Sequence, residues 1–291
     1  MVLELFNIIA PVMVCAALGY GWARLGLPFE TQFVTSLVVN VSTPCLVLAT
    51  LTKLNVSAEA FGEMAGAAAL ALLIFMVIGA VVLKTARLSL HSFLPAMMFA
   101  NTGNLGLPLC LFAFGEKGLA LGIAWFAVNA ASQFTIGALI SSGHTSLGKL
   151  VRTPVLWSVS LALVFMLTGT KPPVFLANTL TLLGNIAIGL MLLALGVSLA
   201  RLHVKSLGRT LALALFRLGM GFGVGVGLAY ALGFEGAARG VVILDCTMPA
   251  AVFNYLFAQR YERQAEEVAS VIVASTLITF ATLPLLLLFV L

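Results

Sequence analysis

The stretch Asn101-Thr102-Gly103-Asn104-Leu105-Gly106-Leu107-Pro108 interrupts a hydrophobic segment near its middle. A second interruption, Asp245-Cys246-Thr247-Met248-Pro249, falls at the corresponding place in the other half of the chain. Proline removes a backbone donor and glycine weakens a helix, so we expect both helices to break and to leave polar backbone that hydrocarbon does not tolerate. Such breaks survive where they line a cavity, and a matching pair indicates the substrate site of a secondary transporter.

The composition is that of an integral membrane protein. Of the 291 residues, 9% are charged and 62% are apolar, and the mean hydropathy is +1.15. Apolar runs of about 20 residues, each long enough to cross the hydrocarbon as a helix, recur along the chain. We therefore predict one all-α membrane domain, 1–291, with about ten transmembrane helices. The predicted spans are Leu5–Ala23, Phe33–Leu51, Met64–Leu83, Phe93–Phe114, Leu119–Ile140, Leu150–Thr168, Leu176–Leu199, Leu211–Leu232, Ala237–Ala258 and Val268–Leu291.

The basic residues predict the orientation, because cytoplasmic connections carry an excess of lysine and arginine. The odd-numbered connections hold Arg24, Lys84, Arg87, Lys149, Arg152, Arg201, Lys205, Arg209, Arg260 and Arg263, and the even-numbered ones hold Lys53, Lys117, Lys171 and Arg239. The odd connections are thus predicted to be cytoplasmic and both termini to lie outside. This bias also explains the net charge of +5, so we expect lipid contacts and no nucleic-acid partner.

An odd number of spans in each half predicts an inverted repeat. Five spans in 1–145 and five in 146–291 would sit in the membrane with opposite orientation. The broken fourth and ninth spans would then be symmetry mates.

Metal and catalytic chemistry find little support in the sequence. The four cysteines are widely separated within spans, and the three histidines lie in connections. No H-E-x-x-H or G-x-S-x-G motif is present. We expect a protein that is not an enzyme and has neither a metal site nor a cofactor.

The interruptions predict an anion site built without a cation. A half-helix N-terminus presents unpaired N–H groups and about half a positive charge, which suits a carboxylate. Asparagine amides and threonine hydroxyls would add donors. An alternative interpretation is that the asparagines satisfy backbone groups freed at the kinks. The predicted substrate site comprises Asn101, Thr102, Asn104, Pro108, Thr247, Pro249 and Asn254.

Asp245 is the acidic residue that lies well inside a span, where charges are rare and usually functional. We predict that it couples transport to H⁺ or Na⁺ or gates the substrate. It could instead form a structural ion pair with Arg217 or make a simple polar contact. Arg217 lies about two turns into the eighth span and is expected to extend its side chain to the membrane face.

Several motifs together resemble the auxin efflux carrier family over nearly the whole chain. They are the run 101–109 followed by Gly115, Arg152-Thr153-Pro154, Leu195-Gly196-Val197-Ser198-Leu199, Pro249-Ala250-Ala251-Val252, and Ser275-Thr276-Leu277 with Thr282-Leu283-Pro284. Plant members of that family have a proline before the asparagine of the fourth span, where this chain has Ala100. The fourth break is therefore expected to depend on Gly103, Gly106 and Pro108.

The resemblance implies two inverted five-helix repeats, similar to the folds of bile acid/sodium symporters and sodium/proton antiporters. It implies a homodimeric scaffold of spans 1, 2, 6 and 7 and a mobile part of spans 3–5 and 8–10, which moves as an elevator. The resemblance also implies a permease for malonate, malate or auxin-like acids, and the compact length is typical of its bacterial inner-membrane members. The rival interpretation is a cation/proton antiporter or sodium symporter that uses Asp245 as its ion ligand.

Overall fold

The computed structural model describes residues 2–53, 57–142, 154–202 and 207–291, and almost all of them are helical. The helices are α1 Val2–Arg24, α2 Thr31–Lys53, α3 Ala58–Thr85, α4 Leu90–Met98, α5 Thr102–Ser142, α6 Pro154–Thr168, α7 Val174–Arg201, α8 Leu207–Ala231, α9 Gly236–Thr247, α10 Phe253–Arg260 and α11 Ala265–Val290. Among the described residues, seven helices are long and apolar enough to cross a bilayer. The predicted all-α membrane fold is confirmed.

The helix α5 serves two spans. Gly115 has φ 66° and ψ −160°, a left-handed conformation that a residue without Cβ adopts at little cost. The chain turns there, so 102–114 completes the fourth span and 116–142 forms the fifth. In the described chain each half then consists of three spans, a broken span and a final span.

The helices pack in two groups. In one, α1 packs on α7, and α2 packs on α6 and α7. In the other, α8 packs on α9 and α11, while α3 packs on α4 and α5. Contacts of α5 with α9 join the broken spans within the second group. Whether the groups move relative to each other stays a prediction. The predicted repeat boundary at 145/146 and the basic residues Lys149, Arg152 and Lys205 lie outside the described residues.

Candidate functional site

The two broken spans meet at their breaks. Ala100 and Ala250 form an antiparallel bridge. The Asn101 N–H donates to the Pro249 carbonyl at 2.7 Å, and the Ala251 N–H donates to the Phe99 carbonyl at 3.0 Å. All six residues are buried. These bonds satisfy backbone groups that a helix break would leave unpaired in hydrocarbon, and the predicted crossing of the fourth and ninth spans is confirmed.

The fourth break lies earlier than expected. The helix α4 ends at Met98, and the chain becomes helical again at Thr102 with a π-turn, Thr102–Gly106. Gly103, Gly106 and Pro108 therefore lie inside α5, just after the break, and the dependence of the break on them stays a prediction. The break falls where the backbone can pair with the ninth span, a partner that local helix propensity does not reveal.

A small cavity, the crossing cavity, lies beside the bridge and has a volume of about 50 Å³. The first turns of α5 and α10 both contribute to it, together with α2, α6, α7 and the second half of α5. Its lining is Val38, Val39, Thr43, Ala100, Asn101, Thr102, Gly103, Asn104, Phe126, Asn129, Ala130, Gln133, Phe134, Val155, Met191, Ala251 and Phe253. Three of the predicted site residues, Asn101, Thr102 and Asn104, therefore line one cavity.

The Asn101 amide is the unsatisfied group of this cavity. Asn101 is 4% exposed, and its Nδ2 has no hydrogen-bond partner among the described residues. A buried donor left unpaired costs about 1–3 kcal/mol. The fold therefore leaves a buried hydrogen-bond donor unpaired at the crossing.

A larger cavity, the vestibule, adjoins the crossing cavity and has a volume of about 270 Å³. It lies between α2 and α7 on one side and α10 with the start of α5 on the other, and the two cavities share Val38, Val39, Asn104, Met191 and Phe253. The rest of its lining is Thr31, Val34, Thr35, Ala194, Ser198, Arg201, Leu202, Val252, Tyr255 and Leu256. It extends toward the end of α7 that the charge pattern assigns to the cytoplasm.

The remaining predicted site residues have other partners. The Asn254 Nδ2 donates to the Phe99 carbonyl at 3.1 Å, and its Oδ1 accepts from Gln133 Nε2 at 3.1 Å. The Thr247 hydroxyl donates to the Ile243 carbonyl at 2.7 Å within its own helix. Neither of the described cavity linings includes Asn254, Thr247, Pro249 or Pro108.

Two amides that the sequence analysis left aside also line the crossing cavity. Asn129 Nδ2 donates to the Thr102 hydroxyl at 3.1 Å and to the Ala100 carbonyl at 3.3 Å, and Gln133 donates to Asn254. With Phe126 they recur three and four residues apart, which is the spacing of one helix face. That spacing is the sequence signal that could have identified them.

Asp245 lies behind the crossing. Its carboxyl group is 1% exposed, its Oδ2 accepts a weak bond from Cys110 Sγ at 3.9 Å, and its Oδ1 has no partner among the described residues. A Cβ on Gly106 would overlap this Oδ1, so the carboxyl group sits directly against the start of α5. It lines neither cavity.

Arg217 does not extend to the membrane face, and that prediction is wrong. It is fully buried, its Nη1 donates to the Cys246 carbonyl at 3.1 Å, and its guanidinium lies 5.0 Å from the centre of the Phe75 ring. The reason is that α9 ends within the protein, where its last carbonyls lack helical partners and attract a cation. No ion pair between Arg217 and Asp245 is present in the described chain.

Comparison with known proteins identifies the family of this chain. A sequence model of the family described as "Membrane transport protein" matches residues 139–287. The chain belongs to the auxin efflux carrier family. The transporter is 28% identical to an uncharacterized transporter of Methanothermobacter thermautotrophicus, with 94% of each chain covered. It is 23% identical to an uncharacterized transporter of Methanocaldococcus jannaschii, with 95% of each covered. It is a multi-pass membrane transporter.

Proposed function

We propose that this transporter carries small organic anions, mono- or dicarboxylates such as malonate, malate or auxin-like acids, by elevator-type alternating access. The observation that carries the proposal is the unpartnered Asn101 amide in the crossing cavity. A carboxylate accepts hydrogen bonds, and a charge-assisted bond to a buried donor is about twice as strong as a neutral one.

The surroundings of Asn101 support an anion further. Two half-helices, α5 and α10, begin at the crossing cavity, and helix N-termini favour negative charge there. Among the described residues, the linings of the two cavities contain no aspartate or glutamate. The site can thus stabilise a carboxylate with fixed dipoles and amides.

The position of the vestibule supports alternating access. It separates α2 and α7 from α5 and α10, and these belong to the predicted scaffold and mobile parts. Movement of the crossing past the scaffold would close the vestibule and open the opposite face. A homodimer of scaffold helices in a bacterial inner membrane belongs to the same proposal.

Asp245 supports a second candidate, a cation/proton antiporter or sodium symporter. Its unpartnered Oδ1 is suited to H⁺ or Na⁺. Organic-anion transport is preferred because the carboxyl group lies outside both cavities, whereas amides and helix N-termini line the crossing cavity.

The test is uptake by proteoliposomes of radiolabelled malonate, malate and an indole acid, with protein-free liposomes as the control. Saturable uptake of at least one anion is expected. Sodium-dependent proton release without uptake of any of them would favour the antiporter instead.

A further inference from the structure

The open end of the vestibule contains a charged side chain with a fixed orientation. Arg201 ends α7, and its Nη1 donates to the Thr31 hydroxyl at 2.6 Å while its Nη2 donates to the Phe29 carbonyl at 3.0 Å. These two bonds hold the guanidinium against the start of α2. Arg201 is the charged residue of the described vestibule lining.

Among the residues that the structure describes, no acid neutralises this guanidinium. No ion pair of Arg201 is found among the described residues. A guanidinium has five N–H donors, and the bonds to Thr31 and Phe29 occupy two of them. Donors and a full positive charge therefore remain at the cavity entrance.

We propose that Arg201 forms an anion-loading site, where a carboxylate binds before it reaches the crossing cavity. The proposal rests on the proposed transport of organic anions. Arginine binds carboxylates through paired N–H donors in a planar fork, and a guanidinium already held by Thr31 and Phe29 loses little freedom when it does so. The Ser198 hydroxyl, three residues earlier on α7, adds a further polar group to the same lining.

The walls of the vestibule suit the rest of such a ligand. Val34, Val38, Leu202 and Leu256 are apolar, and they lie in the same lining as Arg201 and Asn104. An anion with a carboxylate and an apolar body would bury that body here while its charge is bound by Arg201. Asn104, which lines both cavities, provides the next polar contact.

The experiment compares Arg201→Gln, Arg201→Lys and the wild type in neutral phosphatidylcholine liposomes. The probe is whichever of the labelled malonate, malate and indole acid the wild type takes up fastest. Because solvent screens an exposed charge, we expect Arg201→Gln to raise KM by roughly three- to tenfold with little change in the maximum rate. Arg201→Lys should recover part of the loss, and added salt should raise the KM of the wild type more than that of Arg201→Gln.

Arg260→Gln is the matched control. Arg260 ends α10 on the same side of the molecule and lies outside the vestibule lining, so its KM should equal that of the wild type. An unchanged KM in Arg201→Gln would overturn the loading site and leave the transport proposal standing. Equal losses in the Gln and Lys variants, with a lower Tm in both, would also overturn it, because they would indicate a purely structural role.

A lipid phosphate could bind the same guanidinium, so the assay is repeated with added phosphatidylglycerol. A KM effect that appears only with this anionic lipid would overturn the proposal in favour of a headgroup site. If the wild type takes up none of the three anions, the loading site and the proposed function both fail.

Discussion

Each of the two helix breaks contains an asparagine, and the two asparagines differ in their hydrogen-bond partners. At the fourth break, Asn101 lines the crossing cavity and its Nδ2 has no partner in the described chain. At the ninth, Asn254 bonds to Phe99 and Gln133. The ninth span also carries the buried Asp245, whereas the fourth carries no charge near its break. One break thus leaves a buried amide unpaired in the described chain, whereas the amide of the other bonds across the crossing.

The largest effect should come from overpacking the contact between the two broken spans. In Gly106→Ala the new Cβ would overlap Asp245 Oδ1, and because α5 and α9 contact each other here, the carboxyl group has little room to move. Overpacking of this kind costs about 1–3 kcal/mol. We expect a lower Tm in thermal unfolding and loss of most uptake in proteoliposomes.

Gly223→Ala on α8 is the control for this change. A Cβ there meets nothing within 4 Å, so its Tm should match or exceed that of the wild type, since alanine favours a helix by about 1 kcal/mol over glycine. Wild-type Tm and uptake in Gly106→Ala would show that the two breaks are less tightly packed than described.

The second effect tests whether the ninth break carries the coupling. Asp245→Asn removes the titratable carboxyl group while it keeps the size and shape of the side chain. Cys110, on α5, contacts this carboxyl group, and Arg217, on α8, binds the adjacent Cys246. We expect uptake to lose its dependence on an imposed pH gradient while the protein stays folded.

The measurement is uptake with and without the gradient, and Glu59→Gln, at an exposed acid in the first turn of α3, is the control. A gradient dependence equal to that of the wild type would reject Asp245 as the proton carrier and leave it a structural role.

The third effect separates the two asparagines. Asn101→Ala should weaken substrate binding by roughly 10- to 150-fold, since a hydrogen bond to a charged group contributes about 1.5–3 kcal/mol, and should leave Tm nearly unchanged. Asn254→Ala should lower Tm by removing the bonds to Phe99 and Gln133, at a cost of about 1–3 kcal/mol. Binding isotherms and thermal unfolding of both variants give the comparison. The reverse pattern would mean that the ninth break binds the ligand.

The smallest effect concerns the ends of the half-helices that follow the breaks. Beyond the fourth break, Glu116 pairs with Lys53 at 2.6 Å, with side chains 51% and 65% exposed. Beyond the ninth, Arg263 Nε donates to the Ser141 carbonyl at 2.9 Å in a partly buried position. Lys53→Met should change the free energy of unfolding by less than about 1 kcal/mol, and Arg263→Met by about 1–2 kcal/mol. Equal effects would indicate that the exposed pair contributes more than such pairs normally do.

Local chemistry made the existence of the breaks predictable. Proline and glycine act on the residues next to them, and ten spans follow from hydrophobic length alone. Asn101, Thr102 and Asn104 could be predicted for the same reason, because they adjoin a break. The positions of the break and of the free amide could not, because Asn101 and Asn254 differ only in the partners that other helices bring to them.

The position of a charged side chain is also decided by contacts with distant helices, as Arg217 shows. Its distance from the end of α8 suggested a side chain at the membrane face, but the end of α9 at Cys246 provides a buried acceptor instead. Arg201 looked like one of many cytoplasmic basic residues, and its contacts with Thr31 and Phe29 place it at a cavity. Neither position is encoded in the neighbouring residues.

The sequence by itself determined a membrane-embedded, all-helical chain with two interrupted spans, because hydrophobic length and helix-breaking residues act locally. Tertiary structure alone decided where the interruptions lie, which amide stays unpaired and which arginine is buried. Those outcomes depend on backbone groups from distant parts of the chain that meet at Ala100 and Ala250, where each unpaired donor or acceptor must find a partner or remain for a ligand.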